Sequence, residues 1–139
     1  MFALTSYPRM WPLAAMILAA LTAAGSATAQ GAAGSDIMVI TAQNQLGVLE
    51  YCEGEGHIDA EASAIQRRII AQMPAPDRAT AADAKAAHAQ GRKGVVAGPG
   101  VTMPLNEAAR RQDLDEAALC GQISALVRQA GADPAAGTP

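Results

Sequence analysis

Two cysteines, two histidines and a run of carboxylates are the residues of this chain whose types and spacing could do chemistry. Cys52 and Cys120 are the only cysteines. Two cysteines allow one intramolecular pairing, and in a chain bound for an oxidising compartment an even count reads as a disulfide. No Cys-x-x-Cys spacing is present, so a structural Cys52–Cys120 bond is expected rather than a redox or metal pair. Around Cys52 stand Glu50, Glu53, Glu55, His57, Asp59 and Glu61. Oxygen donors with one imidazole suit Ca²⁺ or Mn²⁺, and His57 admits Zn²⁺. The candidate ligands are Glu53, Glu55, His57 and Asp59. Their spacing fits no calcium loop, so the competing reading is a solvated turn. In that turn, Asp59 and Glu61 are favoured by the positive N-terminal end of the following helix.

Nucleophilic chemistry has less support. Ser35, Ser63 and Ser124 lack the G-x-S-x-G elbow, and only His57 and His88 could act as bases. The glycines between Gly91 and Gly100 match neither a phosphate-binding P-loop nor G-x-G-x-x-G. No catalytic residue, resident metal or cofactor is expected, and the chain does not read as an enzyme. The basic pairs Arg67-Arg68, Arg92-Lys93 and Arg110-Arg111 read as solvated helix faces.

The elements that must position these residues follow from the apolar spacing. Ser35 or Asp36 is expected to open a first helix, on which Val39, Ala42, Leu46, Leu49 and Cys52 recur at three and four. Gly47 inside that pattern costs about 1 kcal/mol of propensity and lets another helix approach closely. Asp59 is expected to cap a second helix with Ala62, Ile65, Ile69 and Met73 on its apolar face and Gln66, Arg67 and Arg68 turned elsewhere. Pro74 and Pro76 end it. Asp77 or Thr80 starts a third helix over 79–90, so rich in alanine that it is expected to lie on the surface or fray. Gly91 closes it.

Residues 92–104 form a glycine-rich break made sticky by Val95, Val96, Val101 and Met103, the candidate partner-contact residues. This segment could lie extended over the bundle, with Gly98-Pro99-Gly100 as a turn. A short helix is expected over 105–112. Asp113-x-x-Glu116 resembles a capping box for a last helix bearing Cys120, Ile123, Val127 and Ala130, broadened by Leu119 and Leu126. The expected fold class is all-α, a small bundle of three to five helices stapled by one disulfide.

Composition narrows the function. The chain has 139 residues, a net charge of −3 and four aromatics. Three of those, Phe2, Tyr7 and Trp11, lie at the N-terminus. Without a basic excess or aromatics for stacking, no nucleic-acid partner is expected. Arg9, the apolar run 11–24 and Ala27-Thr28-Ala29 read as a secretory signal peptide with its cleavage site, too short for the ~20 residues of a membrane span. The expected organisation is a signal peptide over 1–29, a mobile leader over 30–34, a helical domain over 35–131 and a disordered tail over 132–139. The destination would be the periplasm or the exterior.

One resemblance bears on function. Asn44-Gln45-Leu46-Gly47-Val48-Leu49-Glu50-Tyr51-Cys52, Gly56-His57-Ile58-Asp59, Gln90-Gly91-x-x-Gly94 and Ala118-Leu119-Cys120-x-Gln122 together resemble small exported proteins of Gram-negative bacteria. Those are grouped as pore-forming relatives of the early secreted antigens. The resemblance implies a helical exported protein with the same two cysteines and membrane activity. The residues themselves favour an exported, non-enzymatic helical protein that binds or protects a protein partner in the cell envelope. Membrane activity and metal binding by the acidic turn are the alternatives.

Overall fold

The computed structural model describes residues 27–132, with side chains from Gly34 onward. Five helices and one hairpin follow in chain order. They are α1 (Ala27–Gly54), α2 (Glu61–Ala71), α3 (Arg78–Gly91), β1 (Val95–Gly98), β2 (Val101–Pro104), α4 (Leu105–Arg110) and α5 (Glu116–Ala132). The helical bundle is thus as expected, but the chain is not all-α. The valine-rich break folds into an antiparallel hairpin, with Val95 opposite Pro104 and Gly98 opposite Val101. Pro99-Gly100 makes its turn, with Gly100 at a φ of 71°, as the third residue of a type II turn requires.

Helix α1 is the axis of the molecule. Its 28 residues span about 42 Å at 1.5 Å per residue. It passes through Ser35 and Asp36 instead of starting at them, and the expected leader over 30–34 is part of it. The physical reason is composition: the alanines there favour helix, and two isolated glycines do not break it. All five residues of the expected apolar stripe are buried, with Leu49 and Cys52 fully so. The expected signal peptide over 1–29 and the expected tail over 132–139 lie largely outside the described residues; Ala132 is the last residue of α5.

Two clusters make the core. One gathers Val48, Cys52, Leu105, Ala109, Leu119 and Cys120 between α1, α4 and α5. The other gathers Leu49, Ala62, Ile65 and Val127 between α1, α2 and α5. The Cys52–Cys120 bond, with 68 positions between its ends, clamps α1 to α5 inside the first cluster.

Helix α3 departs from expectation in part. It lies at the surface as expected, with most of its residues exposed, but it is docked on one face, where it buries Thr80, Ala84, Ala87 and Gly91. Alanine offers little volume but allows a short interhelical distance, and α3 uses it that way. At the crossing with α1, a Cβ on Gly47 would run into the His88 carbonyl and lie 2.9 Å from the Arg92 amide nitrogen. A Cβ on Gly91 would run into the Asn44 carbonyl, with the Val48 nitrogen at 2.8 Å. The two glycines make the backbone-to-backbone contact possible.

The caps also differ in part. Asp77 caps α3 as expected, accepting the Thr80 amide at 2.7 Å. The N-cap of α2 is Ala60, with no side-chain cap bond, and not Asp59, which sits one residue earlier and accepts the Glu61 amide at 3.0 Å. The cap of α5 is Asp115, which accepts the Ala118 amide at 2.7 Å, and not Asp113. Asp113 sits at a φ of 56° in the turn that follows α4. Left-handed backbone is tolerated by Asp more readily than by most side chains.

Candidate functional site

The described surface carries four exposed large hydrophobics, Ile37, Met38, Val101 and Leu126. Three of them lie together. Ile37 and Met38 project from the N-terminal half of α1 into a groove of about 360 Å³, shared with Ile69 of α2, Met73 just beyond α2 and Leu126 of α5. Ile37 also borders a second groove of about 290 Å³, with Ile40 and Thr41 facing Ala97, Gly98 and Pro99 at the hairpin tip. Ile37 therefore joins the two into one apolar strip from the hairpin turn to α5. Met38 is 61% exposed and Leu126 63%.

Leu126 was expected to broaden the buried face of α5. It does not, because that face buries Leu119, Cys120, Ser124 and Val127, and Leu126 falls beside it. The strip uses little of the expected contact segment. Val96 packs against the core, and Val95 and Met103 are half-buried. Of the four residues named from the sequence, only Val101 is strongly exposed.

Asn44 fixes the hairpin beside the strip. Its Nδ2 donates to the carbonyls of Ala87 at 2.9 Å and Val95 at 3.0 Å, and its Oδ1 accepts the Ala97 amide at 2.9 Å. One buried amide thus ties α1, α3 and β1 together. Nothing in the spacing singled it out, beyond a polar residue standing among apolar ones. Gln66 does the same for α2. It is buried and donates to the Ala42 carbonyl at 3.1 Å, where the sequence had it facing away.

The acidic turn does not assemble a metal centre. Among the described residues, no group of three or more His, Cys, Asp or Glu side chains could hold a metal ion. Glu53 accepts the Ser63 hydroxyl at 3.1 Å. His57 lies 3.8 Å from Glu116, which also accepts the Tyr51 hydroxyl at 2.9 Å. Asp59 pairs with Arg128 at 2.7 Å. Glu55 is exposed. Each is drawn to a partner on another element, or to water, instead of to a common point.

The densest charged cluster is elsewhere. Glu50 of α1 meets Arg67 of α2 at 2.7 Å, His88 of α3 at 2.9 Å and Arg92 at 3.6 Å. Burial works to raise the Glu50 pKa. The Arg67 hydrogen bond and the charge of His88 outweigh it, and the net shift is downward. His88 was expected on an exposed helix; docking of α3 brings it to Glu50 instead. This cluster is an electrostatic clamp on three elements.

Comparison with protein-family models, curated proteins and solved structures finds no match. The reading of function therefore rests on the strip, the clamp and the disulfide.

Proposed function

We propose that this chain is an exported, non-enzymatic helical protein that binds a protein partner in the cell envelope. The observation that carries the proposal is the apolar strip of Ile37, Met38, Met73 and Leu126, on a fold whose core is already closed by Cys52–Cys120. Soluble surfaces seldom gather several large apolar side chains around one groove unless something covers them. Methionines at both edges adapt to the shape of a partner. A buried disulfide supports an oxidising destination, in keeping with the N-terminal sequence.

A photo-crosslinking residue at Met38 or Leu126 of the exported chain tests this, with the same probe at Gln90 of α3 as the control. One discrete heterologous adduct is expected from the first two positions and none from the third. Met38→Glu should abolish the adduct formed from Leu126. Equal labelling from all three positions would overturn the proposal. An adduct at twice the chain's own mass would replace the partner with a second copy. Dye release from anionic vesicles that Met38→Glu abolishes would replace it with membrane activity. No described helix is long and apolar enough to cross a membrane.

A further inference from the structure

A separate groove of about 520 Å³ opens on the other flank of α1, between α1, the end of α2, the proline linker and α3. Its volume falls in the ~300–1,000 Å³ range of small-molecule sites. Val39, Ile70, Met73 and Pro74 give it an apolar wall. Gln43, Lys85 and His88 form its polar lining. His88 is held by Glu50, but the other two polar side chains are not used up by the fold. Among the described residues, Lys85 forms no ion pair and the Gln43 side chain no hydrogen bond.

Lys85 supplies the ammonium group of this lining, and no carboxylate is part of it. The Glu50 carboxylate beyond His88 is met by both Arg67 and Arg92, so it leaves no net negative charge there. Asp77, at the linker end of α3, caps that helix and is not part of the lining. An apolar wall with an unpaired ammonium and an unpaired amide matches one ligand chemistry: an aliphatic chain ending in an anion.

We infer that this groove binds a single-chain aliphatic carboxylate, with its chain along Val39, Ile70 and Met73 and its head group at Lys85 and Gln43. The carboxylate accepts from the Lys85 ammonium and the Gln43 amide, while the chain takes the place of water on the apolar wall. Met73 borders both this groove and the partner strip, but Met38 and Leu126, the positions that probe the strip, are not part of this lining.

Titration of the purified exported chain with decanoate, decanol and acetate, followed by calorimetry and amide NMR, tests the inference. Decanoate is expected to bind about tenfold more tightly than decanol, and acetate not measurably. The Gln43 side-chain amide and the Met73 methyl should shift. Lys85→Glu, on an exposed helix position, should weaken decanoate about fivefold to tenfold, the size expected for reversing one partly exposed ion pair. It should leave decanol unchanged. Ala81→Trp, filling the groove from α3, should abolish both, and Leu126→Glu should alter neither. Circular dichroism checks that each variant is folded. Decanol binding as tightly as decanoate, indifference to Lys85→Glu, shifts confined to Ile37 and Leu126, or no binding at millimolar decanoate would each overturn the inference.

Discussion

Gly47→Ala should destabilise this protein, although the same change at Gly121 of α5 should stabilise it. Alanine in a helix interior is worth about 1 kcal/mol over glycine. Gly121 of α5 has nothing within 4 Å of its missing Cβ, so Gly121→Ala should realise most of that gain. At Gly47 the added methyl meets backbone: the His88 carbonyl, the Arg92 nitrogen at 2.9 Å and the Gly91 Cα at 3.0 Å. Backbone atoms cannot rotate aside as a side chain does, so α1 and α3 must separate. Overpacking of this kind costs about 1–3 kcal/mol. Separation also stretches the Asn44 bonds to Ala87 and Val95, each worth about 1 kcal/mol.

After subtracting the propensity gain, Gly47→Ala should lose about 2 kcal/mol. For a domain of this size that lowers Tm by roughly 10 °C. Gly91→Ala should behave alike, because its methyl would enter the same crossing from the other side. The double variant should lose less than the sum, since one separation admits both methyls. Urea unfolding of the oxidised protein measures all four variants. If Gly47→Ala proves as stable as Gly121→Ala, the two helices do not touch through their backbones and the reasoning fails.

Three further outcomes follow from other contacts. Asn44→Leu leaves two carbonyls and the Ala97 amide without their partner, and should cost about 3 kcal/mol; hydrogen exchange at Ala97 should lose its protection, and unchanged exchange would refute the assignment. Reduction of Cys52–Cys120 should cost roughly 4 kcal/mol from loop entropy across 68 positions. Both cysteines are fully buried, so mass-detected alkylation should need unfolding first. Glu50→Gln should flatten the acid limb of stability. The folded-state Glu50 pKa lies below the ordinary 4.5, so its stabilisation is complete above that value and is lost as pH falls through the folded pKa. An acid limb identical to that of the unaltered protein would refute the clamp.

Legibility from sequence divided along a physical line. Features set by local periodicity were readable: the Val39–Ala42–Leu46–Leu49–Cys52 face, the Asp77 cap and the single possible disulfide. The close approach at Gly47 was readable too, because a glycine in a helical stripe has few other uses. Features set by what another element brings were not. Gln66 looks like part of a polar run until Ala42 supplies its acceptor. His88 looks exposed until α3 docks and Glu50 reaches it. Leu126 looks like core because a helix wheel does not say how wide the opposing surface is. The hairpin was half-readable: valines flanking Gly-Pro-Gly signal extended chain, but pairing of the two halves depends on Asn44 holding Val95 and Ala97.

The disulfide bears directly on the choice between holding a partner and opening into a membrane. Opening would have to part α1 from α5, and the covalent bond joins them at the most buried point between α1 and α4–α5. It would also have to break the Glu50 cluster, which ties α1 to α2 and α3, and the Asn44 bridges to α3 and the hairpin. Every element except α4 and β2 is thus bonded to α1 by a side chain or a disulfide. The strip of Ile37, Met38 and Leu126 needs none of these ties to break, because it is exposed in the closed fold. Reduction should therefore loosen the bundle without strengthening the strip's hold on a partner. A crosslink from Leu126 that is equal or weaker after reduction agrees with binding by the closed form. A crosslink that appears only after reduction would mean that the working surface is the core itself.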